Sequence, residues 1–411
     1  MLDKLKSLGK DELIKGSMIL FIMMNIFNFF NYLFHFFMAR FLGPTDYGIL
    51  AVLMSFVYIM AIPSEAIQTI ISGYTSKFNV RKEYGKIKYL LFKSLKKGML
   101  VSLILFILFI PVSLFLSDFL KIEFWLLILT GSLIFYSILF PILRGILQGR
   151  KKFKQLGLNM DIEAIIKLIF ALGLIFIGWK VYGAMAAIIM AGVIAFFLVF
   201  FHIKEIAHSK KEKGDYKEIY SYSYPIFIAM ITIVLMYSLD IILAKRFFSA
   251  EDAGKYAVIS MLGKMILFGT YSVGKAMFPF TSESYENGKE TKSIFKKSMK
   301  ITLFLSGLAL LAYLLLPKLA IRILFGGAYT SVSGILFIVG LAFTFISIAN
   351  IIILYKLSTK RIGLSSVFLL IFVVLQIVLL SLFHSSLVQF SIVLLIVNFL
   401  MFIYSLFLLK K

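Results

Sequence analysis

Apolar runs of about 18 to 25 residues, divided by short polar stretches, recur along nearly the whole chain. A helix needs about 20 such residues to cross roughly 30 Å of hydrocarbon, so each run is long enough to span a bilayer. The alternating segments of about 10 residues that mark a membrane β-barrel are absent, which makes the spans helical. The pattern predicts an all-α integral membrane protein with twelve transmembrane helices. They fall near residues 17–39, 47–74, 98–117, 123–147, 157–178, 181–203, 220–244, 253–280, 299–317, 332–356, 363–383 and 386–409. The connecting loops are short, so whatever the protein does it does within the bilayer.

Composition agrees: 61% hydrophobic and 15% charged residues, with a mean hydropathy of +0.98, cannot be hidden in a water-soluble globule. The net charge of +23 would suggest nucleic acid in a soluble protein, but here its location gives it another meaning. With both termini assigned to the cytoplasm, 32 of the 43 Lys and Arg fall in cytoplasmic segments, 8 on the opposite side and 3 within spans. Basic flanks are retained on the cytoplasmic side, so this asymmetry orients a multi-pass protein of the cell membrane. The surplus suits anionic lipid on that face, and no nucleic-acid partner is expected. The N-terminal stretch "MLDKLKSLGKDELIKGS" has no small-residue cleavage site before the first span and reads as a retained lead-in.

One connector occurs twice. "ARFLGPTDYGILAVL", from Ala39 to Leu53, returns as "AKRFFSAEDAGKYAVI", from Ala244 to Ile259. At an offset of 206, Arg40 falls on Arg246, Asp46 on Asp252, Gly48 on Gly254 and Ala51 on Ala257. After a drift of three, Gly85-Lys86 and Phe92-Lys93 fall on Gly288-Lys289 and Phe295-Lys296. Six spans separate the copies, so the halves share one orientation, as in transporters built from parallel repeats with the site between them. The expected division is a six-helix bundle over 1–203, a cytoplasmic linker over 204–219 and a second bundle over 220–411. Within the connector Gly43-Pro44 ends the first helix in a tight outside hairpin, since Pro lacks the backbone donor. Thr45 or Asp46 then caps the second helix, and Ser249 and Asp252 do the same in the second half.

The run from Lys15 to Leu53, with Lys-Gly before the first span and "ARFLGPTDYG" after it, resembles the opening of polysaccharide-type lipid-linked oligosaccharide flippases. These belong to the multidrug, oligosaccharidyl-lipid and polysaccharide exporter superfamily. The resemblance implies two six-helix bundles in a V around a central cavity. It also implies alternating access for an isoprenoid-(pyro)phosphate-linked glycan in cell-surface polysaccharide assembly, with glycan-assembly enzymes as candidate partners and a monomeric transporter.

A charged side chain inside hydrocarbon costs at least about 2.5 to 3.5 kcal/mol on insertion scales, so each intramembrane ion should face protein or a wet cavity. Lys264 and Lys275 stand on the eighth span with Tyr271 between them, a stripe suited to a pyrophosphate and a sugar ring. Lys264 lies near mid-bilayer, where it either binds the carrier phosphate in a cationic cavity or is neutralised by an acid such as Glu65. On the first span Asn25, Asn28 and Asn31, with Tyr32 and His35, fall within about 120° of arc and suit sugar hydroxyls or helix-to-helix hydrogen bonds. Glu65 on the second span and Asp240 on the seventh are the candidate ion-coupling acids, although Asp240 also suits a basic neighbour. Glu163 and Lys167, four apart, are expected to neutralise each other, and Arg144 to snorkel to the cytoplasmic surface.

No enzymatic constellation appears. There is no Cys, the four His lie far apart without metal-ligand spacing, and no Gly-rich phosphate loop is present, so neither a metal nor a nucleotide cofactor is expected. Two readings compete with the flippase. A cation-coupled multidrug exporter shares the architecture, while an integral-membrane glycan polymerase or ligase would need a large outer loop that this chain lacks.

Reporters fused after Lys88, Lys211 and Lys292 should read cytoplasmic, and reporters near Pro44 and Ala250 should read outside. Two or more reversed reporters would remove the parallel-repeat orientation.

Overall fold

The computed structural model describes residues 2–212, 223–359 and 362–410. Every regular element among them is helical. The first half comprises α1 (Leu2–Met60), α2 (Ile62–Val80), α3 (Tyr84–Leu120), α4 (Phe124–Gly131), α5 (Leu133–Gly149), α6 (Phe153–Phe176), α7 (Lys180–His202) and the short α8 (Lys204–His208). The second comprises α9 (Ser223–Phe247), α10 (Ala250–Glu286), α11 (Lys292–Leu315), α12 (Pro317–Leu324), α13 (Leu336–Ser358), α14 (Leu369–Leu382) and α15 (Leu387–Lys410). Short 3₁₀ turns at Gly327–Ile335 and Gly363–Ser366 precede α13 and α14.

Nine helical segments among the described residues are long and apolar enough to cross a membrane. They differ from the expected spans for identifiable reasons. The first, Ile22–Val80, covers 59 residues, far beyond one crossing. It is interrupted at Gly43, whose φ of 74° and ψ of 175° leave the helical region, and more gently by a single turn residue at Ala61, whose backbone stays right-handed, two positions ahead of Pro63. The positive φ suits Gly, and Pro63 has no donor for the helical ladder. The expected helix 47–74 is therefore two pieces, and the expected hairpin is condensed into one non-helical residue. The α6 helix falls outside the nine because Asp161, Glu163 and Lys167 interrupt its apolar run, and α14 because it has only 14 residues. In the second half Ser249 caps α10: its side chain accepts from the Asp252 amide at 3.1 Å, and its hydroxyl donates to Oδ2 of Asp252 at 2.8 Å.

The chain divides into two compact units. Unit 1 holds Met1–Leu42 and Met60–Tyr220; unit 2 holds Gly43–Ile59 and Ser221–Lys411. The breaks at Gly43 and Ala61 thus bracket a segment of α1 that packs with the second-half helices.

In unit 1, α2 and α5 approach closely through Gly145 and Gly149, where an added Cβ would lie 2.8 Å from the Gln68 carbonyl and 2.4 Å from the Ser72 carbonyl. Small residues four apart allow this approach in membrane helices. Ser64 donates to the Ser137 carbonyl at 2.7 Å and Gln68 to Gln148 at 2.8 Å. After α7 the chain stays docked on unit 1. Lys152 donates to the His202 carbonyl at 2.8 Å, Lys88 to the Ser209 carbonyl at 3.0 Å, and Arg150 pairs with Glu205. Hydrogen bonding to Arg150 holds the Glu205 carboxyl below the ordinary carboxylate range. The remainder of the expected linker, 213–219, and the expected start of the next span at 220 lie outside the described residues.

In unit 2 the α1 segment is fixed by aromatic and glycine contacts. Tyr47 packs against Phe325 and Tyr329, each at 6.3 Å between ring centroids, and Tyr58 against Tyr237 at 5.8 Å and Phe268 at 6.1 Å. Gly48 also meets Gly254, the residue that the connector alignment sets opposite it. A Cβ on Gly48 would lie 2.8 Å from the Gly254 Cα, and one on Gly254 would lie 1.7 Å from the Pro44 carbonyl oxygen.

Because the neighbours at that contact are backbone atoms, Gly254→Ala has no flexible side chain to displace. It should cost about 1–3 kcal/mol or more and lower the melting temperature in detergent. Gly307→Ala, with nothing within 4 Å of its added Cβ, should leave melting unchanged or slightly raised. Equal melting of the two variants would show that the glycine contact is not tight.

Candidate functional site

The polar groups inside the spans collect into two clusters, one in each unit. In unit 2 the centre is Asp240 on α9, fully buried. Three residues of α10 spaced four apart, Tyr256, Ser260 and Lys264, form a line along one helix face. Oδ2 of Asp240 accepts from the Tyr256 hydroxyl at 3.3 Å and from the Ser260 hydroxyl at 2.5 Å. Nζ of Lys264 lies 3.8 Å from Oδ1 of Asp240 and 6.0 Å from the centroid of the Tyr237 ring. Lys264 is only 1% exposed. Of the two cases open for Lys264, the structure has the internal ion pair, with Asp240 rather than Glu65 as the acid, and Asp240 has the basic neighbour that suits it. Two charges that are both withdrawn from water hold each other, and neither Lys264 Nζ nor Asp240 Oδ1 has a hydrogen-bond partner.

Further along α10, Lys275 is exposed and its ammonium stands 4.9 Å from the Tyr271 ring centroid. Sequence spacing had placed Lys264, Tyr271 and Lys275 in one stripe; the structure keeps Tyr271 and Lys275 together and buries Lys264 elsewhere.

In unit 1 the centre is Arg144 on α5. Its Nη2 lies 2.6 Å from Oε2 of Glu163 on α6, its Nε and Nη2 are each 3.3 Å from Oδ1 of Asn159, and its guanidinium stacks 4.1 Å from the Phe140 ring centroid. Tyr136 donates to Oε1 of Glu163 at 2.7 Å, and Nδ2 of Asn159 donates to the Ala195 carbonyl on α7 at 2.8 Å. This corrects two expectations. Arg144 does not snorkel but is 9% exposed, and Glu163 pairs with it rather than with Lys167. A guanidinium offers several donors in a fixed fork, so Arg144 holds both Asn159 and Glu163 of α6, and Asn159 extends the cluster to α7.

Lys167 instead donates to Oδ1 of Asn31 on α1 and lies 4.7 Å from the Phe34 ring centroid. Nδ2 of Asn31 donates to the Phe27 carbonyl at 2.8 Å. Of the asparagine stripe, Asn31 is thus committed to a helix contact, Asn28 is half-buried and Asn25 is exposed. Glu65 is exposed on α2. Asp161 on α6 is buried with no hydrogen bond to Oδ1. Among the described residues no group of three or more His, Asp or Glu is placed to hold a metal ion.

A sequence model of the family described as "Polysaccharide biosynthesis protein" matches residues 13–285, about two thirds of the chain. The chain belongs to this family. No curated protein sequence matches it. Among solved structures, an inward-facing multidrug resistance MATE family transporter of the MOP superfamily is similar at a TM-score of 0.78 and 12% identity, over 93% of each chain. A MOP superfamily transporter from Pyrococcus furiosus, with a binding pocket of reversed polarity, is similar at 0.66 and 14% identity, over 98% of this chain and 95% of that one. An outward-facing MATE family transporter gives 0.63 at 14% identity with the same coverage. At such identities the likeness establishes the fold, so this polysaccharide biosynthesis family member has the MOP superfamily fold.

Sequence spacing contained a signal for the family member's buried clusters that single-residue inspection passes over. Tyr136, Phe140 and Arg144, then Asn159, Glu163 and Lys167, then Tyr256, Ser260 and Lys264 are each spaced four and four. All three lines lie buried or half-buried along one helix face.

Breaking a buried pair by removing one partner costs about 3–5 kcal/mol, because the other charge is left uncompensated. Arg144→Met and Glu163→Leu should therefore each lower stability strongly, and the double variant should be less destabilised than the sum. Thermal unfolding of the four proteins in detergent measures the coupling, and strict additivity would show that Arg144 and Glu163 act independently.

Proposed function

We propose that this chain is a flippase that moves an isoprenoid-(pyro)phosphate-linked oligosaccharide across the cell membrane by alternating access, for cell-surface glycan assembly. In this reading twelve spans form two parallel-repeat halves, 1–203 and 220–411, joined by a cytoplasmic linker, with both termini cytoplasmic. The observation that carries it is membership of the polysaccharide biosynthesis family across both copies of the repeated connector. The basic asymmetry supports the orientation, and the MOP superfamily fold supports transport as the activity.

Within that reading the cations divide by burial. Lys264 and Asp240 neutralise one another inside unit 2, so Lys264 reaches a phosphate only by leaving Asp240. Lys275, exposed and set over Tyr271, joins a phosphate-binding ammonium to a ring on which a sugar rests. Asn25 and Asn28, with the Asn31–Lys167 contact behind them, supply amides for sugar hydroxyls. Glu65, exposed on α2, is the acid assigned to ion coupling.

A second reading, a cation-coupled multidrug exporter, is favoured by the likeness to MATE family transporters. Proteoliposomes separate the two, because the flippase moves labelled lipid-linked glycan whereas the exporter moves cationic drugs.

Transport of labelled glycan should fall at least tenfold in Lys275→Gln with near-normal melting, and should largely survive in Lys275→Arg, since both cations attract phosphate. Lys264→Gln should lose stability and regain part of it with Asp240→Asn, while Glu65→Gln should weaken the response to an imposed gradient. Full glycan transport by Lys275→Gln would remove the phosphate role, and drug transport without glycan transport would replace the flippase by the exporter.

A further inference from the structure

We propose that each half of the chain carries a site for the phosphate of an anionic phospholipid headgroup in the cytoplasmic leaflet. The second-half site is formed by Ser293, Lys296, Lys297 and Lys300 on α11, and the first-half site by Lys93, Lys96 and Lys97 on α3.

On α11 these residues occupy the first turns. Ser293 and Lys297, and Lys296 and Lys300, are each one helical turn apart and present adjoining donors. Together with Glu290 they line an open recess, so three ammonium groups meet one carboxylate. The excess positive charge matches a phosphodiester, and each ammonium has three donors for its oxygens.

The helix surface beyond the recess identifies the rest of the ligand. Immediately after Lys300 it becomes apolar and exposed, with Ile301 at 42%, Phe304 at 69% and Leu308 at 61% exposure. Only 22% of the most apolar stretch of α11 is buried inside the protein, and 11% of that of α3, against 78% for the segment Gly327–Ser358. Helices α3 and α11 are therefore lipid-facing spans. Their lysines stand where the acyl-contacting surface begins, which is the level of a headgroup, and a soluble anion would have no use for the apolar continuation.

The first half repeats the arrangement. At the drifted offset Lys93 falls on Lys296 and Lys97 on Lys300, with the third cation at Lys96 instead of Lys297. Exposed Met99, Leu100, Leu103 and Ile104 come next along α3. Lys93 also stands 5.4 Å from the centroid of the Tyr89 ring. Membrane orientation depends on how many basic residues a loop holds and not on their helical register. Two lysines in matching register with a third beside them, at the foot of the same kind of lipid-facing helix in both halves, is what a pair of headgroup sites requires. The choice of leaflet rests on the orientation proposed above.

The full chain in neutral detergent, titrated with short-chain phosphatidylglycerol or phosphatidylcholine and read by native mass spectrometry, tests the sites. Wild type should hold two tight phosphatidylglycerol molecules and no tight phosphatidylcholine. One lysine near an anionic headgroup contributes about fivefold in affinity. K296Q/K297Q/K300Q should therefore lose one of the two, weakened on the order of a hundredfold, and K93Q/K96Q/K97Q the other. The corresponding arginine triples should keep both, as should K121Q/K180Q/K318Q, which removes equal charge elsewhere. Single K300Q, expected at about fivefold, serves if a triple fails to fold. Equal loss in the K121Q/K180Q/K318Q control, unchanged binding in both glutamine triples, or displacement of the lipid by equimolar inorganic pyrophosphate would overturn the proposal. Thiol labelling of S293C in intact cells, in a chain without native Cys, reports orientation separately, so a reversed topology is distinguished from a missing site.

Discussion

Hydrocarbon offers no hydrogen bonds, so each polar group carried into the spans has to be met by another part of the protein. The helix converts this into a rule of spacing, because residues four apart stand above one another on a face. Arg144 on α5 is answered by Asn159 and Glu163 on α6, and Asp240 on α9 by Tyr256, Ser260 and Lys264 on α10. Neither helix of either pair can rotate without exposing a charge to lipid. The same contacts that neutralise the ions therefore set the rotation of four helices about their axes.

Close backbone approach supplies the second constraint. Gly48 and Gly254 stand at matching positions of the two similar connector sequences, and they meet each other. A contact between two matching positions limits both at once, since a side chain on either would strike backbone on the other side. The segment that carries Gly48 is bounded by Gly43 and by the Ala61 break before Pro63, where the helical ladder is interrupted. The segment is held in place by side-chain packing through Tyr47 and Tyr58.

Much of this was legible in the sequence. Apolar run length located the helices, the repeated connector aligned Gly48 with Gly254, and the Ser249 cap was readable from a short polar residue ahead of an apolar helix. Other features were not. Periodicity places a residue on a face but does not say which helix stands opposite. Spacing therefore gives Glu163 its sequence neighbour Lys167 when its partner is Arg144, and it suggests an acid for Lys264 and a basic neighbour for Asp240 without showing that the two meet each other. The turn at Ala61 is not legible because the run 47–74 stays apolar on average through its few polar residues, and one Pro within such a run alters hydropathy little while removing a backbone donor. Of the candidate site, the stripe on the first span was read as a unit, yet Asn31 turned out to bind Lys167 while Asn25 stayed exposed.

Neutralisation also sorts the cations by what each can still attract. A lysine 3.8 Å from a buried carboxylate presents an approaching phosphate with a dipole, and a guanidinium shared between Glu163 and Asn159 does the same. An aromatic ring contributes only about 0.5–2 kcal/mol to an ammonium set over it, so a ring contact by itself does not cancel the charge. Lys275 over Tyr271 and Lys167 beside Phe34 both make such a contact. Lys167 is buried and also bonded to Asn31, so it stabilises a helix contact, whereas Lys275 is exposed. Burial in the protein is thus a poor guide to which cation receives an anion, because Lys264, only 1% exposed, is one whose charge is already answered.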